Sequence, residues 1–392
     1  MITKFDSSYV GTVDMENLGY LGTPTNDRLY SNEQLAGALH KAVAYAKKMD
    51  GLGYDTFWMA EHHFQPEGTE CIPNLLMMAM HLVNQTRNLK IGCGFNVVPM
   101  WHPLRLAEDY AVADILSEGR VIFGVARGYH TREVETFGSP LTDQDANREM
   151  FEEGVDLIFK AFNEERFSHK GKYYTCPPEV PYRGYTLKEI SLVPRPMRLP
   201  VECWQPIQSG SARAFDFMAK HGISGVIGGG SAEGGAVDRH MTEFQAAYAR
   251  RGIKLERGER LSLGYQFHIA ENREAAMRAA ATAYEENMKM FGELRLVRAI
   301  TDQQIAAMRN PALVPTTKLP RIEDAVKAGG FLAGTPADII EQLKAVEKRY
   351  PGLERISCSM PLGTPLAVTL EQLERFANEV MPAFKQMKAA AD

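Results

Sequence analysis

The residues best suited to chemistry in this 392-residue chain are two adjacent histidines. Glu61, His62 and His63 follow, after Ala60, residues 56–59, an apolar run that predicts a β-strand. An imidazole with its ordinary pKa near about 6.5 transfers protons at neutral pH, so we expect His62 to act in this way. Adjacent side chains point in different directions and no third ligand has a metal-binding spacing, which predicts no metal site. Two structural histidines in a loop remain the alternative.

Two further groups have the chemistry of an anion site. Arg127 follows the predicted strand at residues 121–125, and an arginine at a strand end can bind phosphate or carboxylate through its guanidinium. Ser209, Gly210 and Ser211 precede a predicted helix, whose first backbone N–H groups favour anions. Together they predict a phosphate site beside His62. A surface salt bridge for Arg127 and a simple helix cap for the serines remain open.

The elements that must position these residues alternate regularly along the chain. Most predicted strands are followed by an amphipathic helix, which favours a single (β/α)8 TIM barrel of the α/β class with its active site at the carboxyl ends of the strands. An open doubly wound sheet is the alternative, but no Gly-x-Gly-x-x-Gly follows the first strand. The eight predicted strands are residues 4–10, 56–59, 89–98, 121–125, 201–204, 225–227, 261–269 and 355–359.

Two stretches, residues 128–146 and 291–334, are longer than a barrel needs. The second contains Pro311, Pro315 and Pro320. Long insertions after barrel strands often cover the active site. We therefore expect residues 291–334 to form a mobile insertion over the site, within a single domain that spans residues 1–392.

Composition and charge exclude several classes of protein. The 44 Lys and Arg residues against 49 Asp and Glu give a net charge of −5, which provides no electrostatic footprint for nucleic acid. The longest apolar run, near residues 75–80, is far too short to cross a bilayer. The first residues do not resemble a signal peptide, and the five cysteines are widely spaced without a Cys-x-x-Cys pair. We expect a cytoplasmic protein with free thiols.

Several of these motifs, taken in order, resemble the bacterial luciferase-like flavin-dependent monooxygenases. The resemblance implies a (β/α)8 barrel that binds FMN at the carboxyl ends of its strands. By position, Arg127, Arg148 and the turn Ser209, Gly210 and Ser211 would hold the FMN phosphate. Phe95 and Asn96 would lie against the isoalloxazine ring, and His62 would be the active-site histidine. The matching segments are residues 53–64, 102–109, 119–124, 127–128, 137–138, 147–148, 208–211 and 334–336.

The resemblance also implies an activity, that of a two-component monooxygenase. A separate flavin reductase would supply reduced FMN, O2 would add to it to give a peroxyflavin, and a small organic substrate would be oxygenated. Insertion beside a carbonyl and hydroxylation both stay open. Ala126 stands where bacterial luciferase itself has a reactive cysteine, so light emission is not expected. The alternatives are a deazaflavin-dependent oxidoreductase, a non-catalytic flavin-binding relative, and an unrelated barrel acting on a phosphorylated substrate.

One predicted helix, residues 74–86, suggests an assembly. Eight of the nine residues from 75 to 83 are apolar, whereas an outer barrel helix normally keeps a polar face toward water. We expect its outer face to be covered by the same surface of a second subunit. Residues 74–86 and 103–117 would then build a homodimer or a dimer of dimers, as paired helices here do in the family it resembles. Cover from the same chain is the alternative.

Overall fold

The strands of the protein form a closed parallel barrel. The computed structural model describes residues 1–208, 210–228, 235–297 and 299–385. Its strands are β1 (Lys4–Tyr9), β2 (Thr56–Met59), β3 (Lys90–Cys93), β4 (Asn96–Val97), β5 (Val121–Ala126), β6 (His169–Lys170), β7 (Thr175–Cys176), β8 (Val180–Tyr182), β9 (Tyr185–Leu187), β10 (Cys203–Pro206), β11 (Ser224–Gly228), β12 (Leu261–Ile269), β13 (Phe331–Gly334) and β14 (Arg355–Ser359). Eight of them close the barrel in the order β1-β2-β3-β5-β10-β11-β12-β14, with β14 pairing back to β1.

Helices connect the barrel strands and cover the outside of the barrel. Ser31 and Gln34 form the predicted capping box at the start of the first helix, which ends at Gly53 in the left-handed conformation. The helices are α1 (Asn32–Leu52), α2 (Leu75–Val83), α3 (Pro103–Leu116), α4 (Thr131–Thr136), α5 (Gln144–Asn163), α6 (Ala212–His221), α7 (Ala236–Arg250), α8 (Arg273–Glu293), α9 (Asp302–Arg309), α10 (Ile322–Lys327), α11 (Pro336–Arg349), α12 (Leu366–Arg375) and α13 (Pro382–Lys385).

The predicted (β/α)8 barrel is confirmed, and each of the eight predicted strands overlaps an observed barrel strand. Three details differ. The strand predicted at residues 89–98 is interrupted between β3 and β4. The helix predicted at residues 370–386 starts earlier, with α12, and passes through a π turn before α13. The helix predicted from residue 232 begins at Ala236 as α7, and residues 232–234 lie outside the described residues.

The segment of residues 291–334 is more regular than the sequence suggested. It contains α9, α10 and β13, and β13 pairs in parallel with β12 outside the closed barrel. Its apolar side chains pack on α8 in a small separate core that includes Tyr284, Met308, Ile322 and Phe331. The short apolar runs between the prolines show no clear helical or strand periodicity. The elements of this segment are stabilised by contacts with α8, which a local pattern does not reveal.

A buried ion pair fills the lower barrel interior. The guanidinium of Arg355 lies 2.7 Å from the carboxylate of Asp6 and donates to Thr56 Oγ1 at 2.8 Å. Trp58 Nε1 donates to the same carboxylate at 2.9 Å. Asp6 and Arg355 belong to the neighbouring strands β1 and β14, so this pair ties the last strand to the first at the closure of the barrel.

The apolar helix α2 is largely covered by its own chain. Of its apolar side chains only Met77 is exposed, at 73%, and Met80 is partly exposed. This corrects the expectation of an outer face that is apolar nearly all round, because α2 packs deeply between β3, β5 and α3. On α3, Val112 and Leu116 are exposed. In the described part of the chain no helix has the length and hydropathy needed to cross a membrane.

Candidate active site

A cavity of about 610 Å³ opens at the carboxyl ends of the barrel strands. Small residues line it on one side, including Ser8 on β1, Gly264 on β12 and Ser359 on β14. Trp58 on β2 and Phe95 between β3 and β4 line it with aromatic rings. Because the small side chains leave space inside the barrel, the cavity has the size and depth of a small-molecule site, for which about 300–1,000 Å³ is usual.

Helix α8 and the segment of residues 291–334 complete the cavity wall. Tyr284 and Phe291 on α8 line it, as do Leu296 and Ala325 from the segment. These contacts place mainly apolar groups over the mouth of the barrel. The mobility of the segment and the single-domain organisation of residues 1–392 remain predictions.

His62 lies in a buried cluster of polar side chains next to the end of β2. Its Nδ1 is 3.2 Å from Glu133 Oε1, and its Nε2 is 3.0 Å from both Glu70 Oε1 and the hydroxyl of Tyr129. The Tyr129 hydroxyl donates to Glu70 at 2.9 Å, and His130 Nε2 lies 2.9 Å from the other oxygen of Glu70. Tyr129 is half-buried, whereas the other members of this His62 cluster are buried.

The electrostatics of the cluster favour a charged histidine. Burial alone lowers the pKa of His62, but the carboxylates of Glu70 and Glu133 raise that pKa to about 10. Burial raises the pKa of Glu70, but the charge of His62 and the hydrogen bond from His130 lower it to about 2. At neutral pH His62 is therefore an imidazolium between two carboxylates. The expectation of an unperturbed pKa for His62 was wrong, because sequence alone does not reveal the two glutamates.

Glu61 and His63, the neighbours of His62 in the sequence, make hydrogen bonds that stabilise the local fold. Glu61 is buried and accepts hydrogen bonds from the backbone N–H of Val97 at 2.7 Å and from Trp101 Nε1 at 2.8 Å. His63 Nε2 lies 3.2 Å from Glu61. Glu61 thus fixes the chain that follows β4, while His62 on the adjacent position turns into the cluster.

The His62 cluster also contains a possible set of metal ligands. One ligand atom each from His62, Glu70 and His130 lie within 4.8 Å of one another. All three groups already have hydrogen-bond partners inside the cluster, so hydrogen bonds alone explain their arrangement. The absence of a metal site remains a prediction.

Three arginines meet where β5 and β10 end. Arg127 is held by hydrogen bonds from its Nε to Asn147 Oδ1 at 2.8 Å and from its terminal nitrogen to Gln144 Oε1 at 2.7 Å. Burial and the positive charges of Arg148 and Arg213 lower the pKa of Arg127. Neighbouring positive charges favour a bound anion. Within the described ranges the Arg148 side chain makes no hydrogen bond or ion pair, which leaves its guanidinium available.

The start of α6 adds backbone donors to this group. Ser211 is the N-cap, and its hydroxyl accepts from the backbone N–H of Ala214 at 3.3 Å. Arg213, on the first turn of α6, forms a bidentate pair with Glu152 at 2.6–3.2 Å. Gly210 packs against His240, where a Cβ would approach within 3.0 Å. Ser209, the remaining predicted phosphate ligand, lies outside the described residues.

Phe95 and Asn96, the two residues predicted to lie against the isoalloxazine ring, occupy different positions. Phe95 lines the cavity. Asn96 is fully buried, and its Nδ2 donates to the carbonyl oxygen of Gly124 at 2.8 Å, which links β4 to β5. Phe95 therefore lies in the cavity wall, whereas the buried Asn96 side chain is hydrogen-bonded to the backbone of β5.

Several residues of the site gave no signal in the sequence. Glu70 stands in the loop that follows the motif of residues 53–64, and Glu133 lies in the first turn of a helix of only six residues. Tyr129 and Arg213 could have been found, since they follow Arg127 and Ser211 by two residues at the same strand ends. The closure of the barrel brings all of them together, and no local pattern encodes that closure.

The sequence of the chain matches a known protein family. A family described as luciferase-like monooxygenase matches residues 17–351, most of the chain. The chain belongs to the luciferase-like monooxygenase family. The predicted resemblance is thereby confirmed, and with it the prediction of a flavin-dependent oxidoreductase enzyme.

Relatives of this luciferase-like monooxygenase differ in substrate and cofactor. The chain is 25% identical over 349 residues to the oxygenase component of the flavin-dependent trigonelline monooxygenase of Acinetobacter baylyi, covering 86% of this chain and 88% of that protein. Its fold resembles the oxygenating constituent of the 3,6-diketocamphane monooxygenase of Pseudomonas putida, in complex with FMN (TM-score 0.70, 19% identity, 97% and 98% of the chains). It also resembles a secondary alcohol dehydrogenase that depends on coenzyme F420 (TM-score 0.66, 13% identity, 98% and 99%).

Proposed function

We propose that this protein is the oxygenase component of a two-component, FMN-dependent monooxygenase. A separate flavin reductase supplies reduced FMN, which reaches the oxygenase transiently or by diffusion, and O2 and a small organic molecule are the other substrates. The similarity to an oxygenase component over 86% of the chain supports the division of labour. Reduced FMN, when bound, supplies the electrons that activate O2.

The proposal rests on Arg148, which is near Arg127 and the start of α6. Within the described ranges its guanidinium makes no hydrogen bond or ion pair. A phosphate monoester carries about −1.5 to −2 charges near neutral pH, which suits a site with two arginines and exposed helix N–H groups. In the proposal Arg127, Arg148, Gly210 and Ser211, together with Ser209, hold the phosphate of FMN. Phe95, and the chain at Asn96, support the isoalloxazine ring, which extends toward the cavity.

His62 is proposed as the residue that handles a proton. Because its pKa is raised to about 10, His62 can donate a proton at neutral pH but does not act as a base there. Both ring nitrogens are bonded inside the cluster, and Tyr129 is the member with some exposure. A proton leaving His62 therefore passes through Glu70 or the hydroxyl of Tyr129. The apolar wall from α8 and residues 291–334 excludes water from the reaction.

The protein is also proposed to be a homodimer or a dimer of dimers. Met77 on α2 and Val112 and Leu116 on α3 are exposed apolar side chains on two helices that pack against each other. Exposed apolar groups that lie together favour an interface between copies, and a two-fold axis would set these helices against their own copies.

The proposal is tested by mixing the protein, loaded with reduced FMN under anaerobic conditions, with O2-saturated buffer in a stopped-flow instrument. We expect one FMN per chain to bind and its absorbance to return to that of oxidised flavin more slowly than free FMN. Coenzyme F420, titrated in parallel, is expected to bind at least about tenfold more weakly. Tighter binding of coenzyme F420, or reoxidation of FMN at the rate of free flavin, contradicts the proposal.

A further inference from the structure

The cavity wall contains two carboxamides with unused hydrogen-bonding groups. We propose that the cavity binds a neutral, mainly apolar molecule through one oxygen atom, which accepts a hydrogen bond from Asn287 on α8, with Gln266 on β12 as the second polar contact. The inference rests on the proposed function in that it treats this cavity as the substrate site of the FMN-dependent enzyme.

The charges around the cavity argue for a neutral ligand. Among the lining residues that the structure describes Lys41 alone is charged, and its Nζ forms an ion pair with Asp14 at 2.8 Å. The hydroxyl of Tyr284, also in the wall, is neutral because burial raises its pKa to about 12. An ionic substrate would have to leave water without a free counter-charge, which costs several kcal/mol. A neutral molecule avoids that cost.

Many polar groups in the wall are bonded to the protein itself. The hydroxyl of Tyr9 donates to the carbonyl oxygens of Thr12 and Ala38, and Ser359 Oγ is bonded to Ser8 at 2.9 Å. Thr364 Oγ1 donates to Pro361. Each of these hydroxyls thus already makes a hydrogen bond within the protein.

Asn287 differs from them in having a donor left over. Its Oδ1 accepts from the backbone N–H of Leu362 at 3.4 Å. Only an oxygen can accept from that N–H, so the orientation of the carboxamide is fixed and its Nδ2 is a donor. Nδ2 has no hydrogen-bond partner within the described ranges, and Asn287 is half-buried in the cavity wall. A donor in this setting is satisfied by an acceptor such as a carbonyl or ether oxygen.

Gln266 lies in the wall on the barrel side. Its position on β12 puts it two residues beyond Gly264, which also lines the cavity. The Gln266 carboxamide makes no hydrogen bond within the described part of the chain and is half-buried. It can donate or accept, so it adds a polar contact without demanding a charge.

A buried ionic network holds α8 in the rotation that presents Asn287. Glu286, the preceding residue, bonds to Arg28 at 3.2 Å and to Lys289 at 2.8 Å. Lys289 also donates to the carbonyl oxygens of Gly19 and Thr23 at 2.8 Å. All three charged side chains are buried in this network and none of them lines the cavity. The rigid anchor makes Asn287 a preorganised donor.

The test compares three probes of similar size on the FMN-loaded protein by isothermal titration calorimetry: 4-phenylcyclohexanone, phenylcyclohexane and 4-phenylcyclohexanecarboxylate. We expect the ketone to bind about three- to tenfold more tightly than the hydrocarbon, the range of one hydrogen bond, and the carboxylate to bind most weakly. The isosteric variant Asn287→Leu should remove the preference for the ketone and leave binding of the hydrocarbon unchanged. Gln266→Leu should reduce the preference by a smaller factor.

Several outcomes would overturn the inference. These are tighter binding of the carboxylate, a ketone preference that survives in both variants, and no measurable binding of any probe. A loss of FMN affinity in Asn287→Leu would assign the carboxamide to the flavin instead. Binding of the hydrocarbon to each variant shows that the cavity is still folded. If FMN itself does not bind while the ketone preference holds in the unloaded protein, the proposed function fails and the recognition of a neutral oxygen acceptor stands.

Discussion

The Nε2 atom of His62 lies 3.0 Å from Oε1 of Glu70, and both side chains are buried. Glu133 approaches the other ring nitrogen, so the histidine is enclosed by carboxylates on both sides. The enclosed imidazolium forms ion pairs that stabilise the fold, and it also carries a proton that it can donate. These two roles make different predictions, which separate measurements can test.

The first prediction concerns catalysis. His62→Gln keeps a polar side chain in the cluster, so we expect unchanged FMN affinity and a turnover about 10²-fold lower, the scale of losing a general acid. His63→Gln is the matched control, because the side chain of this adjacent histidine bonds Glu61 and only its backbone N–H, which the substitution keeps, donates to Glu133. Turnover is measured with substrate and saturating reduced FMN. If His62→Gln turns over like the wild type, His62 has a structural role alone.

The second prediction concerns stability and pH. The pKa of His62 is raised on folding from its ordinary value near 6.5 to about 10. The ion pairs therefore contribute their full stability below about pH 6.5 and lose it as the pH rises through about 10. We expect the free energy of unfolding in urea to fall between pH 7 and pH 10, and His62→Gln to flatten that fall. Equal slopes for the two proteins would show that His62 is not charged in the folded state.

The third prediction concerns the closure of the barrel. Arg355→Met leaves Asp6 buried without its partner, and breaking a buried pair in this way costs about 3–5 kcal/mol of unfolding free energy. Lys4→Met is the control, because Lys4 on β1 pairs on the surface with Glu354, directly before β14, and exposed pairs contribute about 0–1 kcal/mol. Urea unfolding at neutral pH measures both. Equal losses of unfolding free energy in the two variants would contradict the prediction that the buried Asp6–Arg355 pair stabilises the closure of the barrel.

The fourth prediction concerns the assembly. Met77→Asp combined with Leu116→Asp places two charges on the exposed apolar surface of α2 and α3, so we expect a wild-type dimer to become a monomer at micromolar concentration in sedimentation experiments. Ile253→Asp, at an exposed apolar residue elsewhere, should remain dimeric. A monomeric wild-type protein refutes the proposed interface, as does a folded double variant that is still fully dimeric.

The barrel was predictable from the sequence, whereas the contacts inside the site were not. Most barrel strands are short apolar runs followed by a helix, and several of these helices have their own start signal, such as the capping box of Ser31; this information is local. The elements α9, α10 and β13 depend on packing against α8, which has no local signature. The shifted pKa of His62 likewise depends on Glu70 and Glu133, which come from two other segments of the chain.

The phosphate site was partly predictable for the same reason. Arg127 and Ser211 stand next to strand ends, where position along the chain already indicates the active face. Arg213 could be noticed two residues after Ser211, but the effect of its charge on Arg127 is not given by the sequence. The two unused carboxamides of Asn287 and Gln266 could be recognised only once the partners of the other polar groups in the cavity wall were known.

The fifth and most direct test compares FMN with riboflavin, which lacks the phosphate, on the wild type and on Arg148→Met. Because Arg148 makes no hydrogen bond in the described structure, its replacement should not disturb the fold. A charge-assisted contact to phosphate is worth about 1.5–3 kcal/mol, or about 10- to 150-fold in affinity. We expect that loss for reduced FMN in anaerobic titrations and unchanged binding of riboflavin. Equal affinity of wild type and variant for FMN, or an equal loss for both ligands, would contradict it.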